Sequence, residues 1–140
     1  MTEKKRDFWQ DHSIHYLEMA YATDRIERLE SFDGYGSRTG ECGDTIEMFL
    51  TMKDKRIQHV SFVADGCMNT RACANTVASM AEGHKLEKAW DITSSAVVDY
   101  LETLPADDAH CAELAVGALY LALSDCERKT DKPIKLLTPR

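Results

Sequence analysis

The 140-residue chain predicts an α+β fold, a small antiparallel sheet with helices packed on one face. Two neighbouring stretches, Thr45–Lys53 and Ile57–Ala64, alternate apolar and polar residues with the period of a strand and are parted by a polar turn. Other stretches, after Cys67 and after Asp108, repeat apolar residues at helical spacing. Strands that are consecutive in sequence, with helices before and after them, fit this class better than alternating βαβ units do.

Residues Arg6 to Leu29 carry a first helical pattern, in which Ile14, Leu17 and Tyr21 form the stripe and Phe8 stands a little before it. His12 and His15 lie here and read as surface residues. Ser31–Gly40 holds three glycines and reads as a flexible connection. In the first strand Ile46, Met48, Leu50 and Met52 share one face, with Thr45, Glu47, Phe49 and Thr51 on the other. Lys53–Arg56 is the turn of a hairpin, and His59 falls on the polar face of the second strand.

Val60–Gly83 joins a strand, the Asp65-Gly66 turn and a helix. Asn69 or Thr70 caps that helix, Cys73, Val77, Met80 and Ala81 make its stripe, and Gly83 stops it. Cys67 stands at the junction, where the amide dipoles of a helix N-terminus favour a thiolate. His84–Trp90 reads as a short helical turn. Thr93 or Ser94 caps another short helix, which ends at Leu104-Pro105. Asp107 or Asp108 caps the last helix, with a face of Cys111, Leu114, Ala115, Ala118, Leu121 and Ala122 that Cys126 extends. The whole of 1–140 reads as a single domain, with 1–13 and 130–140 as flexible tails.

The composition narrows the function. A net charge of −7 argues against a nucleic-acid binder, whose affinity rests on cations that neutralise phosphates. No run approaches the roughly 20 apolar residues that span a bilayer. The first residues carry charge but no apolar core of a secretory signal, which leads to a cytoplasmic, reducing setting. Five cysteines, an odd number, do not look like a disulfide framework there, so metal ligation, redox chemistry or plain burial remain.

Three of those cysteines fall at element ends. Cys42, in Cys42-Gly43-Asp44, precedes the hairpin; Cys67 follows it; Cys111, after His110, lies in the first turn of the last helix. A hairpin sets the start of its first strand beside the end of its second, so Cys42 and Cys67 are expected as neighbours. The last helix packs on the sheet and brings His110 and Cys111 to the same edge. Cys42, Asp44, Cys67, His110 and Cys111 then offer three soft thiolates, one imidazole and one hard carboxylate. Thiolates suit zinc, Cu(I) and iron–sulfur clusters, and a carboxylate makes such a site exchangeable. No pair of these cysteines has the C-x-x-C spacing of a zinc finger. Cys73 and Cys126 read as core.

The order of these motifs resembles the IscU/NifU N-terminal family of iron–sulfur cluster assembly scaffolds. The resemblance rests on Cys-Gly-Asp at Cys42–Asp44, Gly66-Cys67 before a small-residue helix, Gly83–Trp90, and Leu104-Pro105 leading into His110-Cys111. It covers about residues 14–129. The family implies a scaffold, not an enzyme, on which a transient 2Fe-2S cluster is built and then released. A cysteine desulfurase supplies the sulfur, an iron donor the iron, and apo Fe-S acceptor proteins receive the cluster. Carried over, Cys42, Cys67 and Cys111 are ligands and sulfur acceptors, Asp44 is the labile ligand or proton manager, and His110 is an alternative ligand. A zinc-bound persulfide acceptor is the second reading; the short interval from Cys67 to His110 and the histidine itself favour the IscU-like one. The family's L-P-P-V-K motif for a DnaK-type chaperone reads Leu104-Pro105-Ala106-Asp107-Asp108 here, the N-P-x-N element is missing, and Cys73 replaces Ser or Ala. These departures spare the metal site and count against a dedicated chaperone.

Overall fold

Asp54 and Lys55 both take positive φ, 55° and 67°, and make a tight turn between two long strands. These are β2 (Thr45–Lys53) and β3 (Arg56–Asp65), paired antiparallel from Thr45 opposite Asp65 to Lys53 opposite Arg56. Paired positive φ values match the right-handed twist of the strands that they join. A further strand, β1 (Gly34–Thr39), pairs antiparallel with β2, so the sheet order is β1-β2-β3. The computed structural model describes residues 12–41 and 43–137, the side chains of 130–137 excepted.

In chain order the helices are α1 (Ile14–Tyr21), α2 (Met68–Ala81), α3 (Leu86–Ala89), α4 (Ser94–Leu101) and α5 (Ala109–Leu137), with a 3-10 turn at Ala106–Asp108 before the last. The α+β class holds, and α2 and α5 cover one face of the sheet. Ile46, Met48 and Leu50 from β2 and Val60 and Phe62 from β3 are buried with Val77 of α2 and Leu119 and Leu123 of α5. On the other face Phe49 is only 2% exposed, because Phe32 and Tyr35 pack on its ring at 5.4 and 5.2 Å. The chain after α1 crosses the free edge of β3, where Phe62 N–H donates to Arg25 O and Glu27 N–H to Phe62 O. Covering an edge in this way removes a template for unwanted pairing.

Four expectations need correction. The glycine-rich stretch 31–40 is not a loop connection, since 34–39 is a strand. Its glycines serve close packing: a Cβ on Gly36 would lie 2.4 Å from Ala118 O and Ala122 N of α5. The buried residues of α1 are Tyr16 and Ala20, while Ile14 and Tyr21 of the expected stripe are exposed. Ser13 sets that orientation; its hydroxyl caps α1 through Tyr16 N–H and donates to Leu101 O, which ties the helix start to the end of α4. Leu121 of the expected α5 face is exposed too, beside Gly36. Finally, α2 begins one residue after Cys67, which is itself the N-cap residue, so Asn69 and Thr70 lie inside the first turn.

Other expectations hold. Thr93 caps α4 by accepting from Ala96 N–H, and Gly83 follows α2 with φ +88°. His15 is exposed as expected and stacks on Tyr100, whereas His12 is half-buried against Tyr16 and His59 half-buried beside Glu82 at 3.1 Å. The backbone of α5 continues through residues 130–137, part of the stretch read as a tail; residues 1–11, Cys42 and 138–140 lie outside the described residues. Among the described residues no helix is long and apolar enough to cross a membrane.

Candidate metal centre

The pairing of Thr45 with Asp65 sets Asp44 and Gly66 side by side at one end of the hairpin. A Cβ on Gly66 would lie 2.7 Å from the Asp44 carboxylate, so glycine here leaves that carboxylate its place. Gly43 takes φ +94°, a conformation that favours glycine, and turns the chain into β2. Cys67 follows Gly66 in an extended conformation and stays exposed as the chain enters α2. From the other side α5 brings in Cys111, which is 1% exposed.

The result is a triad. One donor atom each from Asp44, Cys67 and Cys111 lie within 4.8 Å of one another. A tetrahedral ion with bonds of about 2.0–2.3 Å keeps its donors roughly 3.3–3.8 Å apart, so shifts of about 1 Å close the triad on a metal. Cys42 is outside the described residues, so its place relative to the triad is an expectation only. His110 joins a second group, in which donors of Asp108, His110 and Cys111 also lie within 4.8 Å of one another. Cys111 belongs to both.

At the centre of the first group is Thr70, which in the sequence alone reads as a possible helix cap. It is fully buried, and its hydroxyl donates to Asp44 Oδ2 at 2.5 Å. The same oxygen is 3.7 Å from Sγ of Cys67 and 3.7 Å from Sγ of Cys111. The preceding residue, Asn69, holds the second carboxylate: its Nδ2 donates to Asp108 Oδ2 at 2.8 Å, and the Tyr16 hydroxyl donates to its Oδ1. One helical turn of α2 therefore fixes both carboxylates. Asp108, expected as a cap of α5, sits in the 3-10 turn with its side chain held across to α2.

His110 is oriented for ligation. Its Nδ1 is 3.1 Å from Asp107 O, an atom that only accepts, so Nδ1 carries the proton. A neutral ring then keeps its lone pair on Nε2, 3.7 Å from Cys111 Sγ. A ring N–H bonded to a backbone carbonyl is the usual outer support of a metal-bound histidine. Burial pushes the Cys111 thiol up to about 11, against the Thr70 hydroxyl, and the charges of Cys67, Asp108 and Asp44 raise it further. Without a cation Cys111 is a thiol at neutral pH; a bound metal would displace its proton. Beside His110, a cleft of about 430 Å³ opens between the β1–β2 connection and α5, lined by Arg38, Glu41 and Glu113 among others. Of the candidate site residues, His110 lines this cleft.

Comparison with known proteins places the chain in a family. The family model described as NifU-like N terminal domain matches residues 23–133. The chain belongs to that family. Among curated relatives, an iron-sulfur cluster assembly scaffold protein IscU of Archaeoglobus fulgidus is 35% identical over 112 residues, 79% of this chain and 73% of the relative. The IscU of Escherichia coli is 28% identical over 127 residues, 81% of this chain and 98% of that one. A NifU-like protein (N-terminal) from Brucella abortus superposes with a TM-score of 0.65 at 20% identity, over 84% of this chain and 94% of that chain. This family's fold is thus the one seen here.

Proposed function

We propose that this chain is an iron–sulfur cluster assembly scaffold, which holds a transient 2Fe-2S cluster at Cys42, Asp44, Cys67, His110 and Cys111 and passes it to apo acceptor proteins. The observation that carries the reading is the convergence of Asp44, Cys67 and Cys111 at the end of the hairpin, within 4.8 Å. Two thiols and a carboxylate at such range make a site for iron and sulfide that binds without being permanent. Thiolates hold cluster iron, while the hard carboxylate exchanges readily with water.

The cluster is cargo, and the residues divide its handling. Cys67 is exposed and can receive sulfur from a cysteine desulfurase docked over the site, whereas Cys111 is buried and anchors the cluster to α5. His110, with Nε2 directed at the same sulfur, supplies a fourth donor when Asp44 lets go. An iron donor completes the partner set. Leu104 is 8% exposed and Asp108 is held by Asn69, so the segment Leu104–Asp108 is poorly suited to a DnaK-type chaperone.

Anaerobic incubation of the purified chain with ferrous iron, cysteine, a cysteine desulfurase and a dithiol, which supplies the two electrons that turn each persulfide sulfur into sulfide, tests the reading. Visible sulfide-to-iron charge-transfer bands, transferable to an apo-ferredoxin, are the expected result. A colourless protein that holds only zinc and persulfide would contradict it.

A further inference from the structure

We propose that Asp108, His110 and Cys111 form a second metal seat, of oxygen, nitrogen and sulfur donors, that takes a divalent first-row ion such as Fe(II) beside the Asp44–Cys67–Cys111 triad. Neither the family match nor the relatives' names assign Asp108 a role.

Three observations carry it. The donor atoms of the three residues already lie within 4.8 Å of one another. Each of the two residues beside the shared sulfur is oriented from outside: the Asp108 carboxylate by Asn69 Nδ2 at 2.8 Å, the imidazole by Asp107 O at 3.1 Å. Such outer bonds fix a ligand's direction and, around bound metals, contribute about 10–100-fold in affinity. Third, the donor set differs from that of the first triad. It has one thiol instead of two, and imidazole with carboxylate suits Fe(II) better than it suits a thiophilic ion.

Geometry also gives the seat a use. Its histidine is exposed and lines the cleft beside Arg38 and Glu113, whereas Cys111 is buried between the two triads. An ion captured at Asp108 and His110 is therefore already bonded to one sulfur of the cluster site. Exchange of Asp108 for sulfide or for Cys67 would move it inward without its leaving the protein. This role as an iron entry point rests on the scaffold reading; the seat itself does not.

The test removes the competing thiols and uses Co(II) as the probe. In a Cys42→Ser/Cys67→Ser chain, anaerobic titration should show one tightly bound Co(II) with a single thiolate-to-cobalt charge-transfer band from Cys111. Adding Asp108→Asn should weaken binding fivefold or more, and adding Asp44→Asn should weaken it less. Asparagine keeps the shape of the side chain and still accepts from Asn69, so the variant retains its fold. The proposal is overturned if the parent binds no Co(II), if Asp108→Asn costs less than fivefold, or if Asp44→Asn costs as much. Cluster assembly by the unaltered chain is read separately, so a failure there would sink the scaffold reading and leave the seat standing.

Discussion

The Thr70 hydroxyl donates to the Asp44 carboxylate at 2.5 Å from inside the first turn of α2. That bond joins the first turn of α2 to the strand end beside Asp44. The donating oxygen also stands 3.7 Å from both the Cys67 and the Cys111 sulfurs.

Thr70→Val tests this bond, since it keeps the side-chain shape and removes the donor. Loss of a hydrogen bond to a charged group costs about 1 to 3 kcal/mol. The expected result is a lower urea midpoint for the valine variant and one close to wild type for Thr70→Ser. Equal midpoints for wild type and Thr70→Val would show that the bond contributes nothing.

The cysteines should separate by position. Cys42→Ser, Cys67→Ser and Cys111→Ser are expected to lose metal, and Cys73→Ser and Cys126→Ser to keep it. Both of the latter sit in the core; burial raises the Cys73 thiol far above its ordinary value, with the neighbouring Cys111, Cys67 and Asp108 charges adding to it. Metal content of the five variants decides the matter. A Cys73 variant without metal beside a Cys111 variant with it would reverse the assignment.

Gly36→Ala is expected to destabilise by about 1–3 kcal/mol or more, since its Cβ would meet rigid helix backbone at 2.4 Å. Gly40→Ala is the control: its Cβ would meet the Leu114 methyls at 3.7 Å and Asp44 O at 4.0 Å, ordinary van der Waals contacts, so little change is expected. Thermal midpoints compare the two, and similar losses in both would show that close packing of α5 on β1 is not what Gly36 serves.

The pH dependence follows from Glu82. Burial alone would raise its pKa, but the Arg25 guanidinium, the Val60 N–H and the His59 ring outweigh burial and hold it below the ordinary value. A depressed folded-state pKa means that the carboxylate's stabilisation is fully present above the unfolded value, about 4.3. It is lost as pH falls through the folded value. Stability should therefore decline below about pH 4.3, less steeply in Glu82→Gln. Denaturant midpoints from pH 3 to 7 check this; parallel curves would remove Glu82 from the explanation.

Much of this was legible in the amino-acid sequence, for identifiable reasons. The hairpin showed because Ile46, Met48 and Leu50 recur at every second position, and the α5 face showed because six buried apolar residues, Cys111, Leu114, Ala115, Ala118, Ala122 and Cys126, recur at helical spacing. Element ends marked Cys67 and Cys111. The strand Gly34–Thr39 did not show, because glycine signals a flexible chain locally while its reason here, the approach of α5, is remote in sequence. Thr70 and Asp108 were hidden for a related reason. A threonine or aspartate near a helix start reads as a cap, and only the packing of α2 against α5 turns Thr70 toward Asp44 and Asp108 toward Asn69. The stripe of α1 misled because Ser13 anchors that helix to Leu101 and so turns Tyr16 inward.

The most direct measurement is made on Asp44→Ala. A carboxylate is the weak point of a thiolate-rich iron site, being protonated or exchanged for water more readily than sulfur, and the imidazole of His110 can take the vacated position. Both proteins are loaded anaerobically, and two rates are followed: the loss of cluster absorbance in air and the transfer to an apo-ferredoxin. The expected result is a visible cluster in each, longer-lived and more slowly transferred in the variant. Equal or faster loss from Asp44→Ala would contradict the labile-ligand role, and no cluster in the unaltered chain would contradict the scaffold itself.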